Sequence, residues 1–217
     1  MLIENIKIDL NGRELILRNP TEDDAEMLIE YLKVTNGETK FLIKEPEEIT
    51  MTLEQEQAFI RSQNAADGNI MLLGFLDGQF VGNCALNSFG RLRFRHRVSL
   101  GIALYQKYTG MGIGKAMMET AIRLAKEMGY EQLELEVVAD NERAIALYRK
   151  MGFEICGTTP NAMKYKDGTY ADEHKMMKEG TIIVCHYVKG NAKIDSNFKL
   201  LKNYARGSAE VAIYEKE

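Results

Sequence analysis

The sequence predicts an α/β (α+β) fold, a mixed sheet flanked by helices, and three observations predict it. Short apolar runs alternate along the chain with amphipathic stretches of helical period. The dipeptides Asn11-Gly12 and Asp77-Gly78 each join two strand-like runs, the signature of a tight β-hairpin. Within residues 98–153 an apolar run, a glycine-rich turn, an amphipathic stretch, a second apolar run and a second amphipathic stretch follow one another. Helices that fall between strands in this way belong to mixed sheets.

The elements follow in order. Residues 3–10 alternate apolar and polar, Asn11-Gly12 turns, and Leu15-Ile16-Leu17 returns. Thr21 caps a first helix, with Asp24 at capping-box distance and Ala25, Leu28, Ile29 and Leu32 on one face. Residues 41–50 are irregular, and Thr52 opens a helix to about Asn64 with a mixed face of Leu53, Gln57, Phe59 and Ile60. Residues 70–76 and 80–87 form the second hairpin. Residues 91–97 are strongly basic and read as a solvated loop or strand end. Strands are expected over residues 98–105 and 132–138, and helices over 112–128 and 141–151. Residues 153–159 and 170–177 close the sheet around a Lys166-Asp167-Gly168 turn. The unit is complete by about Met177, so residues 1–179 form one domain. Residues 180–217 form an extension with strand-like pieces at 181–188 and 209–214.

Composition narrows the function. The 217 residues carry a formal net charge of −4, which disfavours nucleic acid as the main partner and leaves any phosphate binding to local geometry. Cys84, Cys156 and Cys185 are odd in number and far apart, so no disulfide framework is expected and the compartment is read as reducing, hence cytoplasmic. Cys156 reads as packing. Neither the cysteines nor the three histidines show metal-ligand spacing. The N-terminal residues are charged and alternating, unlike a signal peptide, and no apolar run reaches membrane-spanning length.

The turn Gly110-Met111-Gly112-Ile113-Gly114-Lys115 is the strongest chemical signal. A strand that runs through glycines into a helix presents free backbone N–H groups at the positive end of the helix dipole, an anion site. A dinucleotide fingerprint would need glycine where Lys115 stands, and a Walker A loop would need glycine and Ser/Thr where Thr109 and Ala116 stand. A phosphate cradle and a plain flexible turn remain. Asp140 reads as the cap of the next helix, while Asn141 either caps as well or offers its amide to a ligand. Tyr148, at helical spacing from Ala144 and Ile145, is either a core aromatic or a proton donor. Alternation places Glu134 and Glu136 on one face of an otherwise apolar strand, as a solvated edge or as a base.

Together these motifs resemble the GCN5-related N-acetyltransferase (GNAT) superfamily over about residues 15–177. They are most specific in Ile102-Ala103-Leu104, in Thr109-Gly110-Met111-Gly112-Ile113-Gly114, and in Asn141-Glu142-Arg143-Ala144-Ile145-Ala146-Leu147-Tyr148 with Gly152-Phe153. Thr109 stands where the superfamily usually has Arg or Gln, which removes one side-chain contact to the pyrophosphate. The resemblance implies a mostly antiparallel mixed sheet whose central parallel strand pair splays apart, with the pantetheine arm of acetyl-CoA in the gap. It implies cofactor contacts along residues 102–104 and 109–115 and at Asn141 and Tyr148. It also implies an oxyanion donor in the Leu104 N–H, a base in Glu136 acting through water, and a proton from Tyr148 for the CoA thiolate. The segment from Gly157 to Met176 is similar to the branch that acetylates amino acids, peptides or ribosomal-protein N-termini, and also to polyamine and antibiotic-modifying relatives. The expected activity is direct acetyl transfer from acetyl-CoA to a primary amine in a ternary complex, in a possible homodimer. A catalytically idle CoA-binding regulatory module is the rival reading.

Overall fold

The computed structural model describes residues 2–179 and three strands beyond them, His186–Val188, Phe198–Arg206 and Ala209–Lys216. The chain opens with β1 (Ile6–Leu10) and β2 (Arg13–Arg18). Asn11 and Gly12 between them both take positive φ, 56° and 83°, the turn handedness that matches strand twist. A 3-10 turn then leads into α1 (Ala25–Glu38). Asp24 accepts the Thr21 N–H at 2.7 Å and both terminal nitrogens of Arg18 at 2.7 Å. This bidentate pairing makes burial of the Asp24 carboxylate tolerable.

Helix α2 (Leu53–Ala65) starts from Thr52 as expected, but its face differs. Leu53 and Phe59 are exposed, and the helix buries Glu56 and Ile60 instead. These two lie one turn apart and form the stripe that meets the protein, leaving Leu53 and Phe59 at its margins. Strand β3 (Ile70–Leu76) turns through Asp77 and Gly78, again at positive φ, into β4 (Gln79–Ser88). Then follow β5 (Arg97–Leu104), α3 (Ile113–Glu127), β6 (Gln132–Val138), α4 (Glu142–Lys150), β7 (Glu154–Lys164) and β8 (Tyr170–Glu179). The expected closing strand therefore continues past Thr159, through two register slips opposite β8.

These eight strands form one sheet in the order β1-β2-β3-β4-β5-β6-β8-β7. Every neighbouring pair is antiparallel except β5 and β6. The fold is thus the mixed sheet that the sequence predicts, mostly antiparallel as the family resemblance implies. Helix α3 supplies the crossover that a parallel pair requires. Side-chain alternation splits β3 between two cores. Ile70 and Leu72 join Met117, Leu124, Leu133 and Leu135 on the α3 side, and Met71 and Leu73 join Leu28, Tyr31 and Ile60 on the α1 side. Burial on both faces explains why β3 is apolar without alternation. Truncating a residue such as the fully buried Phe153 to alanine costs about 3–5 kcal/mol.

The three strands beyond Glu179, β9 (His186–Val188), β10 (Phe198–Arg206) and β11 (Ala209–Lys216), pair separately in the order β10-β11-β9. The strand expected over residues 209–214 is β11. Of the one expected over 181–188, residues 181–185, Cys185 among them, lie outside the described residues. Strand β10 is not legible in the sequence because a register slip between Leu200 and Lys202 breaks its alternation.

Candidate active site

The parallel pair β5–β6 opens partway along its length. Pairing runs from Arg97 opposite Gln132 to Ser99 opposite Glu134 and stops there. Beyond that point β5 continues through Ile102, Ala103 and Leu104 paired only to β4, and β6 continues paired only to β8. The Tyr105 N–H donates to the Val81 carbonyl at 3.0 Å. Strand alternation therefore turns the Leu104 N–H to the opposite edge, the one facing the gap. Ala103 lies on the α1 side, where its carbonyl accepts the Tyr31 hydroxyl at 2.7 Å. Tyr31, which the sequence reading missed, is buried, and Phe80 and Tyr105 pack edge-on against its ring. Its only sequence signal is helical spacing from Leu28 and Thr35.

At the end of β5 a short 3-10 turn leads to Thr109, whose N–H and hydroxyl both meet the Gln106 carbonyl. Gly110 and Gly112 have φ of 83° and 85°, a region that a β-carbon makes costly, so glycine is required at both. Gly112 is the N-cap of α3 and offers no side chain to the first turn, residues 113–115, which also contains no acid. A β-carbon at Gly112 would meet nothing within 4 Å, so the turn faces open space. Gly114 lets α3 sit close to Leu104 and Leu147, whose methyls would lie 3.6 and 3.5 Å from a β-carbon there. Ile113 is buried beneath the turn, Met111 is exposed, and Lys115 points along the helix to Glu119 at 3.4 Å.

Helix α4 is capped by Asn141, not by Asp140. The Asn141 Oδ1 accepts the Ala144 N–H at 3.2 Å, whereas Asp140 is drawn to Lys40 Nζ at 2.5 Å. Seven residues on, the Tyr148 ring is buried beside Phe153, at 6.2 Å between centroids. Its hydroxyl has no hydrogen-bond partner among the described residues. Burial, reinforced by the neighbouring Cys84, pushes the Tyr148 phenol up to about 12.

The two carboxylates of β6 have different fates. Both lie on the α1 side of the sheet, as alternation requires. Glu134 is buried between Arg97, which it engages bidentately, and Lys175 Nζ at 2.6 Å. Burial alone would raise its carboxyl, but these two cations prevail and hold it below the usual range. Glu136 is exposed and makes no ion pair among the described residues. It lies on a central strand, so the edge-strand account of its exposure does not apply. Were the parallel pairing continued in register, Glu136 would face Gly101, itself exposed and with nothing within 4 Å of a β-carbon. The splay thus opens a trough on the α1 side with a carboxylate on its wall. Glu136 also raises its neighbour Glu173, whose shift is first due to burial.

Cys156 is exposed, with its thiol against the Lys175 carbonyl at 3.2 Å, because it falls in the register slip of β7, so it is not a packing residue. Arg91, Arg93 and Arg95 are solvated, whereas Arg97 belongs to β5 and to Glu134. No group of three or more metal-ligating side chains exists among the described residues. No described helix is long and apolar enough to cross a membrane.

Residues 32–153 match the family model for the acetyltransferase (GNAT) family. An L-amino acid N-acetyltransferase, AaaT, of Escherichia coli K12 is 32% identical over 110 residues, which is 49% of this chain and 66% of that protein. Other curated relatives are matched over less of their own length, 32% and 20% for two of them. Among solved structures, a GNAT-family acetyltransferase from Streptococcus pneumoniae superposes with a TM-score of 0.73 at 32% identity, covering 76% of this chain and 99% of that one. A ribosomal-protein-alanine N-acetyltransferase from Brucella melitensis gives 0.67 at 28% identity, with 75% and 98% covered. The splayed pair, the uncapped glycine turn and these similarities agree: the chain belongs to the acetyltransferase (GNAT) family, whose cofactor is acetyl-CoA.

Proposed function

We propose that this protein is an N-acetyltransferase that moves an acetyl group from acetyl-CoA to a primary amine of a small molecule, an amino acid or a peptide N-terminus. One observation carries the reading. The open edge of β5 leads through a short 3-10 turn to a helix N-terminus that has no side-chain cap and no acid, and both face free space. An acyl thioester on a pantetheine arm fits the first and a pyrophosphate fits the second. In this reading residues 109–115 hold the pyrophosphate and residues 102–104 the arm, and Asn141, with its Oδ1 used as cap, has its amide nitrogen for the same ligand.

Bound acetyl-CoA supplies the thioester, whose carbonyl carbon takes the amine nitrogen while the carbon–sulfur bond breaks. The chain's own groups do the rest. The Leu104 N–H donates to the carbonyl oxygen as charge builds there. A primary amine with a pKa of about 10 is cationic at neutral pH and must lose a proton first. Glu136, exposed on the trough wall, accepts that proton through water. Tyr148, held up to about 12, keeps its proton at neutral pH and so is a donor whenever the sulfur departs. A thiol near 8.5 is the stronger acid of the two, so the phenol acts by a hydrogen bond to sulfur more than by surrendering its proton. Direct transfer is favoured because Cys84 is wholly buried with its thiol pushed up to about 12, and Cys156 lies on the outermost strand.

The decisive experiment combines calorimetry with acetyl-CoA and an acetylation screen over amino acids, polyamines, aminoglycosides and N-terminal peptides. Micromolar binding with turnover of an amine, and no acetyl group on the protein after incubation with acetyl-CoA alone, is expected. Binding without turnover of any amine would favour the idle regulatory module. Absence of binding would remove the reading altogether.

Residues 180–217 are proposed as an appendage to the catalytic unit of residues 1–179, because their described strands pair only with one another. A chain truncated after Glu179 should keep its CoA affinity. A folded truncation that no longer binds CoA would assign the segment to the site.

A further inference from the structure

We propose that Arg143 is a cofactor-binding residue that supplies, from the first turn of α4, the pyrophosphate-reading cation missing at Thr109. The inference rests on the acetyl-CoA reading of the glycine turn. Arg143 Nη1 donates to the Thr109 Oγ1 at 2.8 Å, across 34 residues of sequence. The same guanidinium stands over the next residue, and a β-carbon on Gly110 would lie 3.0 Å from Arg143 Nη2. Gly110 thus serves two ends, its φ of 83° and the approach of this side chain. Arg143 is exposed and makes no ion pair with any carboxylate among the described residues.

A guanidinium offers five donors in a planar fork suited to phosphate oxygens, and one bond to a neutral hydroxyl leaves most of them free. The first turn of α3 contains no acidic residue, and its one cation, Lys115, is turned along the helix to Glu119. The Arg143 cation therefore has its counter-charge in the ligand. Its bond to Thr109, whose hydroxyl in turn donates to the Gln106 carbonyl at 2.6 Å, fixes it at the rim of the turn before any ligand arrives. Cation and backbone cradle then converge from two helices on one anion.

Calorimetry with CoA and with dephospho-CoA, which keeps the pyrophosphate but lacks the ribose phosphate, tests this on the full-length chain. Arg143→Ala should weaken both ligands about tenfold, the scale of one charge-assisted hydrogen bond. Arg143→Gln, which keeps a donor for Thr109 but no charge, should lose as much. Both variants should show a shallower dependence of Kd on salt than the parent protein, since one screened charge is gone. Thr109→Arg in the Arg143→Ala background should recover affinity by returning a cation to the turn. Equal affinity of parent and Arg143→Ala would overturn the proposal. So would a loss confined to CoA, which would assign the guanidinium to the ribose phosphate. Full affinity in Arg143→Gln would also overturn it, leaving Arg143 only a structural bond to Thr109. A parent protein that binds neither ligand would instead sink the acetyl-CoA reading on which the proposal stands.

Discussion

The N-termini of α2 and α3 differ in every feature that closes a helix end. Helix α2 starts from Thr52, whose hydroxyl accepts the Gln55 N–H at 3.3 Å while the Gln55 side chain accepts the Thr52 N–H at 2.8 Å. Glu54 and Glu56 sit in its first turn against the positive end of the dipole. Helix α3 starts from Gly112 in the left-handed region, without a side-chain cap and without an acid in its first turn. A cap is worth about 1 kcal/mol, and acids near the dipole about 0.3–1 kcal/mol each. The chain supplies both where the helix end is only structure and omits both where β5 delivers the chain to the splay. The first-turn donors of α3 receive no side-chain cap, and in the proposed function a pyrophosphate takes that place.

The largest effect should come from closing that difference. Gly112→Val places a β-carbon in the open space of the turn and should abolish acetyl-CoA binding in calorimetry. It also forces a β-branched residue to φ 85°, so a lower melting temperature will accompany the loss. A folded variant with undiminished affinity would mean that the turn is flexible linkage and not a cradle.

Next in size is Tyr148→Phe, which keeps the buried ring and removes the unpartnered hydroxyl. If that hydroxyl donates a hydrogen bond to the departing sulfur, kcat should fall by about 10²–10³ with little change in acetyl-CoA affinity. A parental kcat would make Tyr148 a core aromatic and nothing more. Glu136→Gln should be milder, because an exposed carboxylate acting through water gives only the lower end of that range, about 10² in kcat/KM at neutral pH. The sign with pH is fixed by the amine. As pH rises toward an amine pKa of about 10, free base becomes abundant and the defect should shrink. A defect constant with pH would assign Glu136 to binding, not to proton transfer.

The smallest effect belongs to the other helix. Thr52→Ala opens the N-terminus of α2 and should cost about 1 kcal/mol in urea unfolding while leaving CoA affinity as it was. A variant of α2 that weakened CoA binding would erase the contrast between the two helix ends.

Much of this molecule was legible locally. Asn11-Gly12 and Asp77-Gly78 dictate hairpin turns because these residues themselves tolerate the positive φ that a two-residue hairpin loop demands. Thr52 and Gln55 dictate a helix start, and the apolar runs of β5 and β6 around a glycine turn dictate a strand–helix–strand unit. Each depends on residues within a turn of one another, so the sequence alone determined them, together with the motif that carries the family. What only the tertiary structure decided are contacts between distant segments. Alternation places Glu134 and Glu136 on one face, but it cannot say that Arg97, 37 residues away, and Lys175 bury the first. Nor can it say that the splay of β5 exposes the second. Lys40 captures Asp140 and leaves the cap of α4 to Asn141. Helical spacing marks Tyr31 and a motif contains Arg143, but neither signal names the partner, because Ala103 and Thr109 lie on other segments of the chain. Local free energies set the elements. Which charged groups meet, and which remain open to a ligand, depends on packing those elements against one sheet, where desolvation penalises every charge left unpaired in the interior.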